Sequence, residues 1–169
     1  MKLTTLLAGA FILISGLSLY AQTPDWYIKL KQVKPVESTK TDVEKNFGVA
    51  DKTRVIDGST RIFSSYYLTD GWLTITYSNG KCQPNQDFGY DILKETVETV
   101  YFTAKKPVKL SFLRVNLKGF YSSWVSDVPV QIYTNYTTGI EYSVSRKSVR
   151  SVKLFPAAKY DNLRCEKKQ

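Results

Sequence analysis

The chain contains no histidine, so the side chain that most often serves as general base, as partner of a serine or cysteine nucleophile and as metal ligand is missing. The candidates left for catalysis are few. Ser78-Asn79-Gly80-Lys81 has the Ser-x-x-Lys spacing that sets a lysine one helical turn from a nucleophilic serine in penicillin-recognising enzymes. Here it closes a strand-like run and enters an Asn-Gly turn, without the companion Ser-Asp-Asn and Lys-Thr-Gly motifs, so it reads as a turn. Asp87, Asp91, Glu95 and Glu98 lie close in sequence and could give a carbohydrate- or cell-wall-acting hydrolase its acid and base, or a calcium ion its oxygens. No EF-hand spacing accompanies them, and solvated loop carboxylates are the simpler reading. The two cysteines, Cys82 and Cys165, cannot build the usual zinc site without histidine. Asn135-Tyr136-Thr137 fits a glycosylation sequon in a turn. No glycine-rich phosphate loop is present, and no metal or cofactor is expected.

The compartment is written at the start of the chain. Lys2, the apolar run Leu6 to Ile14 and Leu19-Tyr20-Ala21 follow the order of an export leader, so residues 1–21 are read as a signal peptide and 22–169 as the mature protein. Ser15, Gly16 and Ser18 interrupt the run before it reaches the roughly 20 residues of a membrane span. Stable membrane insertion is therefore not expected after cleavage, and the location is periplasmic or secreted. In that oxidising setting Cys82 and Cys165 have only each other as partners, and a disulfide follows. It would close a loop of about 84 residues, which chain entropy values at ~4.5 kcal/mol.

The formal net charge is +9. Lys29, Lys31 and Lys34 alternate with Ile28, Leu30 and Val33, and the later basic residues Arg146 to Lys153 alternate with valines, as solvated strand faces do. No recognition motif joins the charge, so nucleic acid is not the expected partner. Another exported or envelope protein is.

The hydrophobic fraction of 43% and the aromatic fraction of 14%, with 12 tyrosines and 8 phenylalanines, describe a folded chain biased toward β-structure. Trp26 to Lys31 alternates as a short first strand. Thr39 to Phe47 is predicted helical, with Ser38 or Thr39 as N-cap, Thr41-x-x-Glu44 fitting a capping box and Gly48 just past the end. Strands follow at Arg61–Leu68 and Trp72–Ser78, turned by Asp70-Gly71, then a loop over Lys81–Tyr90 and a strand from Val97 to Thr103 closed by Pro107. Leu113, Leu117 and Phe120 fall at helical spacing, so a helix is placed over Leu113–Phe120, although Val108–Val115 also fits a strand. Val128–Tyr133, Gly139–Val144 and Val149–Phe155 complete the sheet, and a tail returns Cys165 to the body.

The chain also echoes itself. Asp70–Ser78 is repeated in outline by Thr138–Ser143, and Val97–Phe102 by Val149–Leu154, which suggests halves over 36–107 and 108–156. The run Val36–Gly48, a small capped helix ending in Gly, followed by a Gly-x-x-x-Ile-x-Tyr-Ser strand, resembles the small exported modules of the BamE (SmpA/OmlA) family. A similar module occurs twice in tandem in the β-lactamase-inhibitor protein. The resemblance implies a non-catalytic binding scaffold in which short helices pack on an antiparallel sheet. The chain departs from that family in lacking a lipid-attachment cysteine after the leader and in showing one clear helix in its first half. No site residue carries over.

The residues thus lead to a single α+β domain, mostly antiparallel sheet with one to three short helices on one face. Its expected role is non-enzymatic binding, with a loop-carboxylate hydrolase or a structural envelope component as alternatives. If Leu73, Ile75 and Tyr77 point inward, Trp72, Thr74 and Thr76 share the other face with Glu141 and Ser143. Tyr66 or Tyr67 stands beside Trp72, depending on register. Trp72, Tyr66, Tyr67, Thr74, Thr76 and Glu141 are accordingly the candidate binding residues.

Overall fold

The computed structural model describes residues 23–55, 61–82 and 89–165. The expected leader and Asp87 lie outside the described residues. Strands β1 (Lys52–Val55), β2 (Arg61–Leu68), β3 (Gly71–Ser78) and β4 (Val97–Lys109) form one meander, and β5 (Tyr121–Trp124), β6 (Gln131–Asn135), β7 (Ile140–Ser145) and β8 (Ser148–Leu154) form a second. The meanders join through their last strands, giving one eight-stranded antiparallel sheet in the order β1-β2-β3-β4-β8-β7-β6-β5.

Helix α1 (Asp25–Gln32) replaces the strand expected at the start of the mature chain. The alternation of Trp26, Ile28 and Leu30 is outweighed by a helical stripe in which Trp26, Tyr27, Leu30 and Val33 are buried while Ile28 is left 46% exposed. Asp25 and Lys29, four apart, add an ion pair at 3.0 Å. Helix α2 (Lys40–Phe47) forms where expected. Thr39 is its N-cap: its hydroxyl accepts from Asp42 N–H and the Asp42 carboxylate accepts from Thr39 N–H, so the capping box is Thr39/Asp42 rather than Thr41/Glu44.

Both helices cover one sheet face. Trp26 stacks on Phe102 of β4 at 4.1 Å, and the Tyr27 and Tyr142 hydroxyls meet at 2.5 Å under α1, so this helix spans the junction between the meanders. Phe47 of α2 packs 6.3 Å from the Tyr66 ring. Beneath them Leu73, Ile75, Tyr77, Val100 and Val152 are almost wholly buried.

Three further expectations are corrected. The β2–β3 turn is Thr69-Asp70, with Gly71 already paired to Leu68. Strand β4 passes through Pro107 to Lys109, because the register shift between Thr103 and Val108 takes Pro107 out of the ladder with β8, where its missing N–H costs nothing. The helix expected over Leu113–Phe120 is absent: a 3-10 helix, Leu110–Leu113, ends at Arg114 in the left-handed region, and the chain then runs irregularly to β5. Leu113, Leu117 and Phe120 still face the core, so their spacing reflects burial without a helix.

Cys82 and Cys165 are joined, with Cα atoms 5.6 Å apart. The tail reaches Cys82 through a second 3-10 helix, Ala158–Leu163, and is stitched down by Asp91 N–H to Leu163 O and Cys165 N–H to Gly89 O. Replacing both cysteines by alanine should lower unfolding stability by about 2–5 kcal/mol, read from urea midpoints at a constant m-value.

Two glycines permit close approach where each meander turns into its third strand, beside the chain of its fourth. A Cβ on Gly71 would lie 2.1 Å from Thr103 O, and one on Gly139, at φ +67°, 2.0 Å from Phe155 O. Gly71→Ala and Gly139→Ala should each destabilise by about 2–4 kcal/mol. Gly48→Ala, with positive φ but open space around it, should cost only about 1 kcal/mol. Equal losses in all three variants would contradict this account.

Candidate binding face

Alternation decides which side chains reach the face opposite the helices. With Leu73, Ile75 and Tyr77 in the core, β3 turns Trp72, Thr74 and Thr76 outward. The cross-strand register extends this into two lines. One runs Lys52, Ser65, Thr74, Tyr101, Lys153, Glu141, Thr134, Tyr121, and the other Tyr67, Trp72, Thr103, Ser151, Ser143, Ile132, Ser123.

Trp72 is 49% exposed and sits directly opposite Tyr67, 55% exposed, on β2. Tyr101, 45% exposed, lies one register step away on β4 and donates to Ser151 Oγ at 3.3 Å. Lys52 holds its ammonium 5.8 Å from the Tyr67 ring centre, and Asp51 accepts from Tyr67 N–H at 2.7 Å, which fixes that end of the patch. A second aromatic group stands across the face, where Tyr136 bridges Tyr121 at 5.9 Å and Phe155 at 6.0 Å. Between the groups lie Lys153 and Glu141, and the Glu141 carboxylate accepts from Thr134 Oγ1 at 3.1 Å.

Not every candidate is available. Tyr66 is inward and buried, its hydroxyl 3.3 Å from that of Tyr77, because the register puts Tyr67 rather than Tyr66 opposite Trp72. Burial pushes both phenol pKa values above the ordinary 10. Thr76 points outward in phase but is only 7% exposed, and Thr74 and Glu141 are half-buried. Tyr101 was missed, although alternation along Val97–Thr103 already sets it opposite in phase to Val100 and Phe102. Tyr121, Tyr136 and Phe155 come together only through the pairing of β5 with β6 and of β7 with β8.

The groups with catalytic types are engaged elsewhere. Ser78 is buried, donating to Gly80 O at 2.9 Å and accepting from Gly80 N–H at 3.0 Å, so its hydroxyl holds the turn. Glu95 lies 3.8 Å from Lys40, while Asp91 is exposed where the tail pairs with the loop. Glu98 is 2% exposed and lies 2.8 Å from Arg61 Nε. No cluster of three potential metal ligands occurs among the described residues.

Desolvation raises the Glu98 carboxyl pKa above its ordinary 4.5, with the Arg61 charge and Tyr90 N–H acting the other way. A carboxyl raised on folding stabilises the native state fully below its unfolded pKa, and that contribution is lost as pH rises through the native value. The Glu98 midpoint, followed by carboxyl carbon NMR, should therefore lie above 4.5. Relative to Glu98→Gln, the wild-type urea midpoint should fall as pH rises through that midpoint. A midpoint below the ordinary value would show that the Arg61 charge dominates instead.

No family model matches the sequence, and no curated protein matches it. No described helix is long and apolar enough to cross a membrane. Among solved structures, the chain is similar to a cysteine-rich secretory protein from Staphylococcus aureus at 13% identity and a TM-score of 0.35, covering 73% of this chain and 48% of that one. It is also similar to the DUF4309 family protein YjgB from Bacillus subtilis at 16% identity and a TM-score of 0.44, covering 78% of this chain and 93% of that one.

Proposed function

We propose that this chain is an exported, non-catalytic binding protein, periplasmic or secreted, whose sheet face opposite α1 and α2 captures another exported or envelope protein. The observation that carries the reading is the Trp72–Tyr67 pair, two large aromatic side chains about half exposed on directly opposed residues, on the face opposite the described helices α1 and α2. Tryptophan and tyrosine anchors lose little conformational entropy on binding and often dominate interface energies. Tyr101 extends the patch, and Lys52 and Lys153 give it the sign of the whole chain, which favours an acidic partner surface. The turn-bound Ser78 and the scattered roles of Glu95, Glu98 and Asp91 favour binding over hydrolysis. Export is supported by the leader pattern and by the single cysteine pair closed as a disulfide.

We also infer that the two meanders are related halves, as the tandem-module resemblance implies. Support comes from the strand order, in which each strand of one meander has a counterpart in the other, and from Gly71 and Gly139, each of which lies close to a carbonyl, Thr103 O in β4 and Phe155 O just past β8. The echo is not in phase throughout. With those glycines aligned, inward Leu73 falls on outward Glu141, so the second half is displaced by one residue.

Trp72→Ala should weaken capture of the partner by about 2 kcal/mol, roughly 30-fold, with the melting temperature nearly unchanged. A photo-crosslinking side chain at position 72 in cells of the native host should retrieve the partner. Loss of binding together with a large drop in melting temperature would make Trp72 a residue of the fold and refute its role as anchor.

A further inference from the structure

The two edges of the sheet are unlike each other. At one, β1 is Lys52-Thr53-Arg54-Val55, and its cations discourage a second strand, as charged edges generally do. At the other, β5 is Tyr121-Ser122-Ser123-Trp124 followed by Val125, five residues without charge or proline. Tyr121 is 72% exposed, Trp124 71% and Val125 40%. On a chain of net charge +9, this uncharged edge is where a second copy meets least repulsion.

The backbone of β5 is arranged to receive it. Val125 N–H donates to Val130 O at 3.1 Å, one step beyond the Trp124–Gln131 pair. In the regular antiparallel ladder that follows, Tyr121, Ser123 and Val125 direct their N–H and C=O groups at β6. Ser122 and Trp124 direct theirs away from the sheet, at the open edge.

We propose that the chain forms a symmetric dimer in which β5 pairs antiparallel with β5 of a second copy about a two-fold axis at Ser123. In this register Ser122 lies opposite the partner's Trp124, and Trp124 lies opposite the partner's Ser122. Both residues carry edge-directed groups, so each of the two pairs exchanges both of its N–H···O=C bonds and the edge groups of Ser122 and Trp124 are satisfied. Paired residues must share a face, and positions two apart do. A register in which Ser122 met the partner's Ser123 would put opposite faces together and is excluded. On the open face Tyr121 falls beside the partner's Val125, an aromatic and a β-branched side chain in the arrangement that stabilises sheets. The interface is isologous and closed, as in most homodimers. It would join two open faces into one continuous surface, whether or not that face binds a partner.

The test is sedimentation equilibrium on the disulfide-bonded protein purified from cells expressing the full sequence. At roughly 100 µM, where mass action favours association, the wild type should have dimer mass. Ser123→Lys, which sets like charges against each other at the axis, should reduce the mass about twofold with an unchanged circular-dichroism melt. Ser123→Cys should crosslink rapidly under mild oxidation, because directly opposed residues bring their Cβ atoms to about 5 Å. Peptide mapping should find the bridge between the two introduced thiols, with Cys82–Cys165 intact. Thr53→Cys on the basic edge should not crosslink. A monomeric wild type at that concentration overturns the proposal, as does a dimer that Ser123→Lys leaves intact. A Ser123→Cys chain that crosslinks no faster than Thr53→Cys overturns it too.

Discussion

The antiparallel pairing of β4 with β8 is the interaction on which the rest of the structure depends. Each meander alone is a four-stranded sheet with two edges, and its narrower face offers a helix less apolar surface to cover. Joining Val100 to Leu154 and Phe102 to Val152 removes one edge from each half and makes a floor wide enough for α1. The helix then holds the junction from above, with Trp26 on Phe102 and Tyr27 on Tyr142. The buried Tyr27–Tyr142 hydroxyl pair gives the seam a polar registration point, since burial without that contact would leave two phenols unsatisfied. Its cost is visible in the Tyr142 phenol, whose pKa burial pushes well above the ordinary value.

The two faces follow from this arrangement. Helices, the 3-10 helix Leu110–Leu113 and the loop around Phe120 cover one side, where the largest buried side chains lie. The C-terminal tail closes the α1–α2 linker, with Lys159 3.2 Å from Glu37 and Tyr160 donating to the same carboxylate. These partners lower the Glu37 pKa, although an exposed pair of this kind adds little stability. The opposite side keeps its aromatic side chains in solvent. Buried Glu98 accepts from Tyr90 N–H, in the stretch Gly89–Asp91 that pairs with the disulfide-bonded tail.

An aromatic patch on paired strands backed by a packed core suits recognition because the backbone beneath it is already ordered. Tyr67 and Trp72 project from adjacent strands whose other faces are locked by Tyr66 and Leu73 in the core, so binding would order few additional torsions. The charged residues between the aromatic groups are partly spent on internal contacts, Lys153 5.9 Å from the Phe155 ring centre and Glu141 on Thr134. They shape orientation more than affinity.

Local chemistry alone determined much of this protein. The α+β class, helix α2 with its capping residue, strands β2 and β3 with the inward set Leu73, Ile75 and Tyr77, and the Cys82–Cys165 bridge were legible because each rests on short-range periodicity, a cap or the lack of any other thiol. Tertiary structure decided whatever depended on a surface supplied from elsewhere in the chain. Trp26–Lys31 fits a strand or a helix, and the breadth of the β4–β8 floor selects the helix that buries Trp26, Tyr27 and Leu30 together. Leu113, Leu117 and Phe120 have helical spacing, yet all three reach the core while Arg114 in the left-handed region breaks the turn. Tyr66 and Tyr67 are equivalent in the sequence, and only the pairing of β2 with β3 puts one in the core and the other beside Trp72, because a slip of one residue exchanges the two faces of a strand.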